Sequence, residues 1–220
     1  MQSRERALAG GISASLIILI GLLTALSGAA SSNHPHPSDD GGGLPIHDGV
    51  GGEFSASSSL GREVSLSEFR DKVVLLFFGY TSCQDVCPAT LAHLQSLVRE
   101  LGNASNDVQV LFVTVDPEND SADHLKQYLA RFDSRFVGLT GKPEEVDRIA
   151  RLFMVKHDQS HGVEVSNEYS RGKTFTEHSY LYAHSQQIYL LDKSGRTRAL
   201  FFTGSPLEEM QEAVTTLLNE

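Results

Sequence analysis

Apolar and polar positions divide this chain into three zones. From Ala7 to Leu26 (ALAGGISASLIILIGLLTAL) the residues are predominantly apolar, a stretch long enough for one helix to span a bilayer. From Ser31 to Gly52 (SSNHPHPSDDGGGLPIHDGVGG) periodicity disappears among Gly, Pro, Ser and Asp, the composition of a flexible linker. After Gly52, short apolar runs alternate with helical periodicities, which marks a folded domain. The expected organisation is residues 1–30 as a transmembrane anchor or signal segment, 31–52 as linker and 53–220 as the domain.

Within the domain, Glu53 to Ser58 and Arg62 to Ser65 flank Gly61 as a hairpin would, and Leu66 to Arg70 suits a short helical turn. Val73 to Phe78 (VVLLFF) is a continuous apolar run ending at Gly79, the pattern of a central strand covered on both faces. Pro88 then predicts a first helical residue, with Leu91, Leu94, Leu97, Val98 and Leu101 at helical spacing before Gly102. Val108 to Val115 predicts a second buried strand, parallel to the first through that crossover. An amphipathic segment follows from Ala122 to Phe132, a short strand from Phe136 to Leu139, and a helix opened by Pro143 that carries Val146, Ile149, Ala150 and Phe153. Ile188 to Leu191 and Thr197 to Phe202 bracket a turn at Asp192–Gly195, and a last helix runs from Pro206 to Leu218. The class is α/β, a βαβ half followed by a ββα half with an inserted helix and strand, which is the thioredoxin-like fold.

Charge narrows the function. Eighteen Lys and Arg against 28 Asp and Glu give a formal net charge of −10, with no basic block in the folded part, so nucleic acid is not an expected partner. Arg4 and Arg6 precede the apolar run, which keeps them cytoplasmic and sends the domain to the other side of a bacterial inner membrane, into the periplasm. Small residues at Ser27, Gly28, Ala29 and Ala30 also suit a cleavage site, so a soluble periplasmic product is the alternative.

The only cysteines are Cys83 and Cys87, and in an oxidising compartment such a pair serves as a disulfide, a redox couple or metal ligands. They follow the central strand directly, where a strand-to-helix loop lets both thiols converge. Thiolates are soft ligands that select Cu(I), and imidazole is a good copper ligand too. A helix N-terminus beside them lowers the pKa of whichever thiol lies at it.

Phe78-Gly79-Tyr80-Thr81-Ser82-Cys83-Gln84-Asp85-Val86-Cys87-Pro88 resembles the F-G-Y-T-x-C-x-D-x-C-P signature of the Sco/SenC family of copper-delivery proteins. Asp116-Pro117-Glu118-Asn119-Asp120 resembles that family's D-P-x-x-D segment, as does Val137 to Gly141 its counterpart, and His184 before Tyr189-Leu190-Leu191-Asp192 resembles its late histidine. The likeness covers roughly residues 53–218. It implies one copper ion held by Cys83, Cys87 and His184 and delivered to the binuclear copper site of cytochrome c oxidase subunit II, with a thiol reductant as second partner and the membrane reached through the N-terminal helix. Two departures from the pattern are Ala183, where an Asp often precedes the histidine, and the polar Gln186-Gln187.

A thiol-disulfide oxidoreductase, with Cys83 and Cys87 redox-active, is the competing function; the three-residue spacer and the lack of proline from Glu144 to Ser205 weigh against it. A structural disulfide closes too short a loop to constrain the unfolded chain much. A peroxidase finds only Thr81 suitably placed. Of the remaining histidines, His178 rivals His184, while His34, His36, His47, His93, His124, His157 and His161 read as polar surface or linker. Asp85 is a candidate for tuning the thiolates or capping the loop, and the polar segment 156–176 leads to His184.

Overall fold

The structure, a computed structural model, describes residues 43–155 and 187–220. In chain order these form β1 (Ser55–Ser58), β2 (Glu63–Ser65), a 3-10 turn (Leu66–Phe69), β3 (Val73–Gly79), α1 (Val86–Glu100), β4 (Val108–Thr114), α2 (Ala122–Leu129), β5 (Val137–Thr140), α3 (Pro143–Leu152), β6 (Gln187–Leu191), β7 (Thr197–Phe202) and α4 (Leu207–Asn219). The seven strands make one sheet in the order β2-β1-β5-β4-β3-β6-β7. β3, β4 and β5 run parallel, and β6 joins β3 antiparallel.

β3 is buried at every position because both of its faces are covered. Val73, Leu75 and Phe77 meet α1, α2 and α4 through Leu91, Leu94, Leu97, Leu125, Leu129, Met210 and Val214. Val74, Leu76 and Phe78 meet Ile149, Ala150 and Phe153 at α3 on the other face. This two-residue alternation of one strand between two cores is what its unbroken apolar run encodes. The expected βαβ half is β3-α1-β4 and the ββα half is β6-β7-α4, giving the thioredoxin-like fold. Between them the described residues add α2, β5 and α3, where the amphipathic segment from Ala122, the short strand and the helix opened by Pro143 were expected.

Several boundaries move. α1 starts at Val86 rather than at Pro88, so Cys87 is helical. α2 stops at Leu129, short of Phe132, and β5 is shifted by one residue to Val137–Thr140. Residues 43–52, expected in the linker, are bonded to the domain: His47 N–H donates to the Thr197 carbonyl at 2.9 Å and Gly51 N–H to that of Leu152 at 2.7 Å. The Arg198 Nε donates to the Leu44 carbonyl at 2.9 Å. Among the described residues no helix is long and apolar enough to cross a membrane. The anchor expected over residues 1–30 lies outside them.

Arg198 is a buried cation on β7. It meets Asp192 Oδ2 at 3.2 Å and both Glu220 carboxylate oxygens at 2.6 and 2.9 Å. Asp192 also accepts the Ser194 and Arg196 N–H groups at 2.9 and 3.0 Å and the Arg196 Nε at 2.9 Å. Burial pushes the Asp192 carboxyl up, but these donors outweigh it and hold the group below the usual carboxylate range.

Two measurements test this frame. A carboxyl depressed in the folded state stabilises it above its unfolded pKa of about 3.9 and loses that contribution as pH falls through the folded value. Arg198 keeps Glu220, so Asp192→Asn is expected to cost about 1.5–3 kcal/mol at pH 7 through the weakened bonds from Ser194, Arg196 and Arg198 to the lost charge, with the gap from the parent chain shrinking below about pH 4 in denaturant titrations. Gly138 on β5 has no room for a side chain, since a Cβ there would lie 2.7 Å from the Leu125 Cβ. Gly138→Ala forces α2 off the sheet and is expected to cost about 1–3 kcal/mol in the same titration.

Candidate metal centre

β3 ends at Gly79, and the chain reverses through residues 80–85 into α1. The reversal places Cys83 on the rim and Cys87 beneath it, in the first turn of the helix. Both thiols are free, Cys83 half-buried and Cys87 fully buried. The Cys87 sulfur fills the place of a missing side chain: a Cβ on Gly79 would stand 2.9 Å from Cys87 Sγ and 2.8 Å from the Phe112 ring.

Cys83 Sγ takes the part of a helix cap. It accepts the Cys87 N–H at 3.4 Å, while the Asp85 carboxylate, at the N-cap position, makes no capping bond. Asp85 is exposed and does not close the loop. Burial alone would push the Cys83 thiol up, but the N–H groups of Cys87, Asp85 and Val86, with the Cys87 thiol, outweigh it and hold it below the ordinary cysteine value. Cys87 goes the other way. Burial pushes it up and outweighs the opposing Tyr80 N–H, and Cys83 and the Asp120 charge add to the rise.

The aromatic surroundings record the same electrostatics. Burial raises the Tyr80 phenol to about 12, with the charges of Cys83 and Cys87 adding to it. Tyr128 shares the core cluster of Cys87, and its phenol is pushed up by burial first and then by the two cysteines. Its hydroxyl has no hydrogen-bond partner among the described residues.

A group that the sequence reading named without a role holds the loop. The Asp120 carboxylate, 1% exposed, accepts the Thr81 N–H at 3.0 Å, the Thr81 hydroxyl at 2.5 Å and the Thr114 hydroxyl at 2.6 Å. Asp116, at the front of the same D-P-x-x-D segment, accepts both contacts of the Asn119 amide at 2.9 and 3.0 Å, and burial raises its carboxyl. The signal for these residues was present in that segment and in Thr81, but nothing in either states that the two meet.

The other candidates separate. His93 approaches the Ser205 carbonyl with Nε2 at 3.0 Å and so ties α1 to the β7–α4 loop instead of facing only solvent. His124 is exposed and His47 half-buried. His184, His178, His34, His36, His157, His161 and the segment 156–176 lie outside the described residues. No group of three or more His, Cys, Asp or Glu suited to a metal ion occurs among the described residues.

A soft, partly open dithiol at a helix N-terminus is fit chemistry for a thiophilic cation. The family model for SCO1/SenC matches residues 45–219. A SCO2-like protein of Rickettsia conorii is 29% identical over 163 residues, covering 74% of each chain. The mitochondrial SCO2 homolog of Bos taurus is 33% identical over 165 residues, covering 74% of this chain and 58% of that one. Among solved structures, copper-bound ScoI of Bradyrhizobium japonicum is 30% identical with a TM-score of 0.64, over 77% of this chain and 99% of the other. Copper-bound ScoI of Arabidopsis thaliana is 28% identical with a TM-score of 0.65, over 78% and 99%. The thiol loop, the sheet that carries it and these matches converge: the chain belongs to the SCO1/SenC family.

Proposed function

We propose that this protein binds one copper ion through Cys83, Cys87 and His184 and delivers it to the binuclear copper site of cytochrome c oxidase subunit II. The observation that carries the reading is the pair of free, convergent thiols, one open to solvent and one buried, in a chain similar to ScoI proteins solved with copper bound. The pair is asymmetric in the way a carrier needs. Cys83 gives up its proton readily, whereas a buried Cys87 thiolate next to Cys83 and Asp120 is favourable only with a cation to offset the negative charge. Copper then leaves by ligand exchange as a partner's thiolates replace these, starting from the exposed side.

His184 is supported by reach. Ile188 pairs with Phe77, so β6 begins at the end of the sheet where β3 ends and the thiols stand. Two residues, Ser185 and Gln186, lie between His184 and Gln187, so three steps of chain span at most about 11 Å. Residues 1–30 as an uncleaved anchor in a bacterial inner membrane, with the domain in the periplasm, complete the reading.

One observation favours a second function. A solvent-open thiol of lowered pKa beside a buried thiol of raised pKa is also the arrangement of an attacking and a resolving cysteine. The protein would then keep the cysteines of an exported partner reduced.

Copper content of the reduced full-length chain separates the two. The expected result is one tightly held copper per chain, lost in Cys83→Ser, Cys87→Ser and His184→Ala but retained in His178→Ala. Retention in His184→Ala removes that ligand from the site, and no copper in the parent chain with active disulfide exchange turns the reading to the oxidoreductase. Gly79→Ala is expected to weaken copper retention, because the new Cβ displaces the Cys87 sulfur, and to cost about 1–3 kcal/mol of stability by denaturant titration.

A further inference from the structure

We infer that Asp120 is a positioning residue for the cargo: its buried carboxylate locks the thiol loop through Thr81 and so fixes where Cys83 stands. The inference deepens the copper reading above and rests on it for the cargo.

The geometry has three parts. Thr81 is held twice by one side chain, its N–H to Asp120 Oδ2 at 3.0 Å and its hydroxyl to Oδ1 at 2.5 Å. The third donor, the Thr114 hydroxyl, comes from the end of β4 at 2.6 Å, and Thr114 is paired with Gly79 across the sheet. The carboxylate thus spans the last rung of the central strand pair and the first residues of the loop. Cys83 lies two residues beyond Thr81, and its N–H is bonded back to the Tyr80 carbonyl at 3.3 Å, so the hold on Thr81 passes directly to the cysteine.

A simpler structural role does not account for Asp120. The N-cap of α2 is Ser121, whose Oγ accepts the His124 N–H at 3.2 Å, so the helix does not need the Asp120 side chain. A carboxylate with 1% exposure is costly to bury, and an apolar residue would fill the same space without that cost. All three contacts are donors to it, so its oxygens are used as acceptors. The whole constellation lies in the shell around the thiols, where supporting groups orient ligands and set affinity.

The test uses the reduced full-length chain and four variants: Asp120→Asn, Thr81→Val, Thr81→Ser, and Ile149→Val as a destabilising control on the opposite face of the sheet. Amide hydrogen exchange over residues 80–87 is read without metal, and Cu(I) retention is read by competition with a chelator. Asp120→Asn and Thr81→Val are expected to speed exchange in 80–87 by roughly tenfold while β3 and β4 stay protected, and to weaken copper retention by about 10–100-fold. Thr81→Ser, which keeps both donors, returns to parental behaviour. Ile149→Val lowers the unfolding midpoint and moves neither readout. The proposal is overturned if Asp120→Asn and Thr81→Val behave like Ile149→Val, and equally if exchange quickens while copper retention is unchanged. A parent chain that holds no copper sinks the copper reading, and the exchange data then decide alone whether Asp120 positions the loop.

Discussion

The site depends on one close approach, that of the Cys87 sulfur to the backbone of Gly79. A Cβ at this last position of β3 would meet both that sulfur and the Phe112 ring inside normal contact distance. The first turn of α1 therefore sits directly over the end of the central strand, and Cys87 becomes part of the core it packs against. Cys83, four residues earlier, has no such socket and remains on the rim, where its sulfur caps the helix. The chemical difference between the thiols follows from this placement: one is held by N–H groups at a helix end, the other is deprived of water. Two residues of the same type are divided into an accessible and a buried thiol by packing alone.

Much of this was legible from hydrophobic pattern. β3 announced itself because a strand shared by two cores must be apolar at every position, and the crossover through α1 followed from the strand, thiol loop and helix periodicity in succession. The cysteine pair declared its chemistry through the motif around it. The start of α1 was misplaced because the cap is a sulfur, not one of the usual oxygen-bearing residues, so Pro88 looked like the natural start. The domain's beginning was misplaced for a different reason. Residues 43–52 are secured through backbone groups such as His47 N–H, Gly51 N–H and the Leu44 carbonyl, and composition carries no record of backbone partners. The link between Asp120 and Thr81 was hidden by a separation of 39 positions along the chain. His184 belongs to neither group, since it lies outside the described residues and rests on resemblance and chain reach.

The Arg198 network has a bearing on access to the thiols. Thr197 pairs with Leu191, and Leu191 with Val74, whereas Phe201 pairs with Ile188, and Ile188 with Phe77. Arg198 therefore stands level with the beginning of β3, and Gly79 with its thiols stands at the other end of the same strand. Arg198 binds the Leu44 carbonyl near the start of the described domain and the carboxylate of Glu220 at the C-terminus. Both ends of the domain are thereby gathered at the end of the sheet opposite the thiols. Neither Leu44 nor Glu220 has to move for a partner to reach Cys83. For a protein whose proposed work is to hand over an ion by exposed ligand exchange, that separation is consequential: the charge network that closes the domain acts where it cannot obstruct the transfer.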